Sequence, residues 1–164
     1  MAITKAKKQE IVAHVAQILS SSKSVTFVNF HKVTVLEMTN VRKQLRGQGV
    51  GFYVAKKTLA KLALDKAGIS GELPELNGEV ALVYSEDLLA SAREIHAFQK
   101  SLDGRISILG GIFEGTYKNK SDMESIATIP DRKTLYAQFV NIINSPIQGF
   151  VVALNAIADK RQSA

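Results

Sequence analysis

Ile11, Val12, Val15, Ile18 and Leu19 recur at three- and four-residue spacing. That pattern predicts an amphipathic helix from about Thr4 to Leu19, ended by Ser20-Ser21-Ser22. Val25–Phe30 is dense in β-branched and aromatic residues and predicts a strand. A second helix starts at Thr34, where Thr34 and Glu37 have capping-box spacing. Met38, Val41 and Leu45 form its inner stripe, and Gly47 and Gly49 stop it. Gly51–Ala55 predicts a short strand and Lys57–Lys66 a third helix, closed by Gly68. Leu73–Asn77, with Pro74, reads as an irregular crossover. Val80–Tyr84 is almost uninterruptedly apolar, as in a strand covered on both faces. A helix over about Asp87–Ser101 follows, with Leu88, Leu89, Ala92, Ile95, His96 and Gln99 down one side. Arg105–Phe113 predicts a fourth strand, in which Gly110-Gly111 marks a bulge or a close backbone approach. Ser121 and Glu124 repeat the capping-box spacing and predict a short helix to Ala127.

Pro130 marks a boundary. Beyond it Asp131–Asn144 predicts a helix, and Ser145-Pro146 reads as a restart, with Ser at the N-cap and Pro at the first helical position. A last helix then runs to about Lys160. The alternation of helices with four strands predicts a layered domain over residues 1–129, parallel by count alone, followed by a helical C-terminal extension over 130–164.

Composition narrows the chemistry. The 164 residues are 46% apolar and contain no Cys, so the chain can bury a core but has no disulfide framework or thiolate chemistry. The net charge of +6 is unevenly spread. Residues 1–68 carry 12 Lys/Arg against Glu10, Glu37 and Asp65, and residues 69–164 carry 9 basic and 12 acidic residues. A front half of +9 points to a polyanion partner.

The cations are also grouped. Arg42 and Arg46 share a helix face with Lys43 beside them, and Lys57 and Lys61 repeat that spacing. Lys56-Lys57-Thr58 sits at a helix N-terminus, where unpaired N–H groups already favour an anion. Lys5 and Lys8 share the polar face of the first helix, and His31 and Lys32 precede the second. Cations on one helix are ordinarily just its solvated side, but here acidic partners are too few to match them. The expectation is nucleic-acid binding through phosphates. Aromatics are 7% and Trp is absent, which favours backbone and shape recognition of a folded RNA over a stacking platform for single strands.

Catalysis is not indicated. His14, His31 and His96 stand on separate elements without a partnered carboxylate, and no phosphate loop or nucleophile elbow is present. No metal, cofactor or small-molecule substrate is implied. No continuous apolar leader follows Lys5, Lys7 and Lys8. Thr134–Ala158 is an uncharged run of 25 residues, long enough for a membrane span, but Gln138, Asn141, Asn144, Ser145, Gln148 and Asn155 would be costly in hydrocarbon. The expectation is a soluble cytoplasmic protein without a membrane partner. Within that run Ile147, Phe150, Val151, Leu154 and Ile157 keep helical spacing, with Val152 widening the face. Such a helix either folds back on the domain or docks partner helices in the helix-in-groove manner.

The succession Thr34-Val35, Met38, Arg42-Lys43, Leu45-Arg46, then Val54-Ala55-Lys56-Lys57-Thr58-Leu59, then Gly110-Gly111, Phe113-Glu114-Gly115, and Leu135 onward resembles the bacterial ribosomal protein L-ten family along the whole chain. The resemblance implies an α+β fold, a ferredoxin-like α/β plait with a four-stranded mixed sheet, and a helical C-terminal extension. It implies binding to large-subunit ribosomal RNA at the stalk base, beside ribosomal protein L-eleven. It also implies that the last helix, here through Ile147, Phe150, Val151, Leu154 and Ile157, carries dimers of the acidic stalk protein that recruit translational GTPases. Two dimers are expected on the short tail. Arg42, Arg46 and Lys56 match RNA-facing positions of the family. Two departures stand out: His31-Lys32 replaces an Arg-Gly turn, and Lys56-Lys57-Thr58 replaces Lys-Asn-Thr. The alternative reading is a generic RNA-binding or ribosome assembly factor whose last helix packs on its own core.

Overall fold

The computed structural model of the chain describes residues 4–102 and 104–162. It divides into two units, Met1–Ile129 and Pro130–Ala164. In the first, the order is α1 (Lys5–Ser21), β1 (Ser24–Phe30), α2 (Val35–Gly47), β2 (Gly51–Val54), α3 (Lys57–Ala67), β3 (Val80–Ser85), α4 (Ala90–Ser101), β4 (Ile106–Phe113), β5 (Thr116–Asn119) and α5 (Lys120–Ala127).

The strands form one sheet in the order β2-β3-β1-β4-β5, and every pairing is antiparallel. The α+β plait stands. The sheet has five strands rather than four, however, and is neither mixed nor parallel. The helical crossovers explain the difference. β1 and β2 are joined through α2 and run in the same direction, but β3 lies between them in the opposite direction. β3 and β4, joined through α4, are separated by β1 in the same way. Each crossover thus skips one strand, which is the split βαβ arrangement. The fifth strand, Thr116–Asn119, is short and polar and gives almost no apolar signal. Its signal is the two-residue turn Glu114-Gly115, with φ of 50° and 73°, matching the paired positive φ of a type I′ hairpin.

Strand alternation builds two cores. Val25, Phe27 and Leu82 point to one face, where Val12 and Val15 of α1 and Ala60, Ala63 and Leu64 of α3 cover them. Val28 and Val83 point to the other, under Val41 and Leu45 of α2, Ala92 and Ile95 of α4 and Met123 of α5. Phe27 and Leu82 are fully buried, each worth about 1.5–3 kcal/mol of transfer free energy. On β4 the register slips opposite Phe27/Val28. Ile108 therefore faces the second core while Ile112, four residues on, faces the first. The bulge falls at Leu109, immediately before the Gly110-Gly111 pair. A Cβ on Gly111 would lie 2.6 Å from the Val25 carbonyl oxygen and 2.7 Å from Met123 Cε, so only glycine fits there.

Two helix starts differ from the pattern. α4 begins at Ala90, not Asp87, because the Asp87 carbonyl accepts from Ser24 Oγ (2.9 Å) and from Ser85 Oγ instead of serving a helical turn. α5 begins at Lys120 with Asn119 as N-cap, so Ser121 lies inside the helix and no capping box with Glu124 forms. Lys120 pairs with Glu124 across one turn at 3.9 Å.

The second unit is α6, a single helix over Arg132–Gln162. The Asp131 carboxylate caps it, accepting from the Thr134 N–H at 3.0 Å. Pro146 lies inside this helix, so the expected restart at Ser145 does not occur. An interior proline removes one hydrogen bond and costs about 3 kcal/mol, but need not end a helix. Thirty-one residues give a rod of roughly 46 Å, not the roughly 22 Å expected of the last segment alone.

Candidate nucleic-acid and helix-docking surfaces

All ten residues singled out from the sequence, nine cations and His31, are exposed: Lys5, Lys8, His31, Lys32, Arg42, Lys43, Arg46, Lys56, Lys57 and Lys61. Among the described residues the ion pairs are Arg93–Glu94, Arg105–Glu37 and Lys120–Glu124, and none uses a member of this set. The scarcity of acids in the front half therefore translates into unneutralised charge. Glu37 is occupied elsewhere: its carboxylate accepts from the Thr34 N–H and Thr34 Oγ1, both at 2.8 Å, and pairs with Arg105 at 2.9 Å. The Thr34 backbone N–H, then the Thr34 hydroxyl and Arg105, hold its pKa below the ordinary carboxylate value.

Three adjoining clefts run past five of these residues, along α2, the two ends of β2 and the C-terminal end of β1. The first, roughly 360 Å³, is lined by Arg42, Arg46, Gly49, Val50, Gly51, Phe52 and Tyr84. Arg42 continues into a second, roughly 250 Å³, with Phe30, Lys32, Val33, Thr34, Met38 and Glu79. Phe30 and Glu79 continue into a third, roughly 500 Å³, with Val54, Lys56, Lys57 and Gly78. Lys56 is the N-cap of α3 and offers no side-chain acceptor to the first turn, which leaves that turn open to an anion. Arg46, Arg42, Lys32, Lys56 and Lys57 thus follow one another along a shared surface. His31, Lys43 and Lys61 line none of the three clefts.

Lys5 and Lys8 belong to a different place. With Lys66 they rim a groove of roughly 560 Å³ between α1 and α3, floored by Val12, Ala13, Ala16, Leu59 and Leu62. The sequence pattern groups all ten residues in one set; the structure separates these two. Of the other histidines, His14 meets the Tyr53 ring edge-on at 4.9 Å, and His96 faces the interior with Nδ1 buried and unpartnered. Among the described residues no group of three or more His, Asp or Glu is placed to hold a metal.

On α6 every side chain from Arg132 to Lys160 is exposed. Ile147, Phe150, Val151, Leu154 and Ile157 lie on one side. Because the helix is continuous, Leu135, Tyr136, Phe139, Val140, Ile142 and Ile143 fall on the same half of its circumference, at about 100° per residue. The expected docking set therefore extends by six residues toward the N-terminus. They had lain in view within the uncharged run, but the supposed break at Ser145 detached them. Arg132–Lys160 is also long and apolar enough to cross a membrane. Gln138, Asn141, Asn144, Gln148 and Asn155 gather on the opposite side, so the helix is two-faced rather than apolar all round.

Residues 3–100 match the family described as Ribosomal protein L10, and residues 129–164 match the Ribosomal protein uL10 C-terminal region. Large ribosomal subunit protein uL10 of Lactobacillus johnsonii is 34% identical over 159 residues, which cover 95% of each chain. The proteins of the same name from Shouchella clausii and Staphylococcus aureus are 32% and 33% identical, covering 95% and 98% of this chain and 94% and 96% of theirs. The chain belongs to the ribosomal protein L10 family.

Within this L10-family chain Lys32 has φ 52°, a left-handed conformation that a glycine would take freely. The C-terminal-region match spans the whole of α6.

Proposed function

We propose that the chain is a structural protein of the large ribosomal subunit that joins ribosomal RNA to helical protein partners. The surface running from Arg46 through Arg42 and Lys32 to Lys56 and Lys57 faces RNA phosphates at the stalk base, beside ribosomal protein L-eleven. The α6 stripe carries dimers of the acidic stalk protein, which recruit translational GTPases. The protein works in the cytoplasm as part of the ribosome. The observation that carries this reading is the segregation of chemistry: unneutralised cations on the first unit, and a fully exposed apolar stripe on α6.

The stripe from Leu135 to Ile157 is roughly 33 Å long. A dimer that presents two helices side by side takes about 16–20 Å, since packed helices lie about 8–10 Å apart. Two dimers fit. Asn144-Ser145-Pro146 divides the stripe into Leu135–Ile143 and Ile147–Ile157, one segment for each. A membrane span is disfavoured by the polar side of α6, since such groups are costly in hydrocarbon.

Truncation after Arg132 tests both halves of the proposal. The shortened chain keeps RNA binding and loses stoichiometric capture of the acidic partner. Phe150→Asp with Leu154→Asp in the full chain acts likewise and leaves the melting temperature unchanged, because both residues are exposed. Partner capture by the truncated chain would refute the assignment of α6. A lower melting temperature for the double variant would favour a helix that packs on its own core.

A further inference from the structure

The cleft at the ends of α2 and β2 differs in kind from its neighbours. It combines two guanidiniums, Arg42 and Arg46, with two aromatic rings, Phe52 and Tyr84. The adjoining clefts set cations beside aliphatic side chains, one ring and the Glu79 carboxylate. Arg42 sits over the Phe52 ring, 5.4 Å from its centroid. Tyr84 pairs with Gly51 across β2 and β3, and its ring fills the space that a side chain at 51 would need. A Cβ on Gly51 would be 2.2 Å from Tyr84 Cζ. Absence of a side chain at that position is therefore what lets the tyrosine ring reach the cleft. Both rings are half-buried, so each is held by packing and still presents surface.

Phosphate neutralisation asks only for cations. Aromatic faces next to a planar guanidinium are what an unstacked base requires. The volume, roughly 360 Å³, lies at the small end of the range for ligand sites. We propose that this cleft takes one unstacked nucleotide of the bound RNA, its base on the Phe52–Arg42 pair, its flanking phosphates on Arg42 and Arg46, and the Tyr84 ring closing the sheet edge beside Gly51. The proposal rests on the RNA-binding reading above and deepens it: this part of the surface recognises a looped-out base as well as backbone charge. A low overall aromatic content does not oppose it, since one base needs one ring and a guanidinium, not a platform.

The test uses the full chain and a large-subunit ribosomal RNA transcript, with Arg42→Lys and Phe52→Leu. Arg42→Lys keeps the charge and removes the planar group. Each variant should bind roughly tenfold more weakly, with the slope of log affinity against log salt unchanged. Chemical probing of base edges should show a single nucleotide shielded in the wild-type complex and reactive in both variant complexes. Unchanged affinity and probing for Arg42→Lys and Phe52→Leu, while Arg42→Ala with Arg46→Ala still weakens binding, would mean that the cleft holds phosphate only; the proposal falls and the RNA-binding reading stands. Failure of the wild-type chain to bind the transcript would overturn both. Should Phe52→Leu melt early, Arg42→Lys decides the matter, because Arg42 is exposed.

Discussion

Replacing Arg42 and Arg46 together by alanine should make RNA binding weaker and markedly less sensitive to salt. Both guanidiniums lie on one face of α2 and line one cleft, and neither takes part in an ion pair among the described residues. Each is thus free to neutralise a phosphate. Loss of a phosphate contact flattens the slope of log affinity against log salt by about 0.9 on duplex and about 0.7 on single-stranded RNA. The double variant should therefore show a slope shallower by about 1.4–1.8, and between 50 and 200 mM salt its affinity should fall by about tenfold less than that of the wild type. The fold should survive. Val41 and Leu45, which bury α2, are untouched, and alanine is the strongest helix former. Only the Arg42–Phe52 contact is lost, worth about 0.5–1 kcal/mol at an exposed site. Fluorescence anisotropy with a labelled transcript across a salt series measures the slope, and a thermal melt controls for folding. An unchanged slope in a folded variant would show that these two residues do not meet phosphate.

Lys32→Gly separates strain from function. It relieves roughly 1 kcal/mol of left-handed backbone strain while loosening the unfolded chain by about 0.4–1 kcal/mol, so urea stability should move by less than about 1 kcal/mol as the salt slope drops by about 0.9. Gly111→Ala should destabilise by about 1–3 kcal/mol in urea titration, because the contact with the Val25 carbonyl lies in the central strand and cannot relax; an unchanged midpoint would refute the close approach. Glu37→Gln probes the lowered carboxylate. Because the folded pKa is depressed, its stabilising effect is present above the unfolded value and is lost as pH falls through the folded one. The gap in melting temperature between wild type and variant should then hold steady above the ordinary carboxylate range and close as pH falls below it. A constant gap would exclude the titration.

Much of this molecule is legible along the chain because local signals and tertiary packing agree. The Thr34/Glu37 capping box forms as read, and Val41 and Leu45 are buried as their spacing requires. Strand direction is different. The β-α alternation says that β1 and β2 are parallel, which is true, but it cannot say that β3 lies between them; that is decided by long-range pairing. Ser121/Glu124 and Ser145-Pro146 misled for a shared reason. Both are local capping motifs, and in each case a helix that starts earlier already includes them. Charge spacing located the cations but not their company. Lys5 and Lys8 lie over an apolar groove, whereas Phe52 and Tyr84 join Arg42 and Arg46 only once β2 and β3 have paired.

Glu37 joins the first turn of α2, through Thr34, to Arg105 at the entrance of β4. The helix that presents Arg42 and Arg46 is thereby clamped at its N-terminus to the start of β4, the neighbour of the central strand. Its orientation is fixed when the domain folds, and an arriving RNA does not have to order it. The entropy cost of aligning the two guanidiniums with each other falls largely on folding, so the encounter with RNA meets a preorganised surface whose remaining freedom lies in the side chains alone.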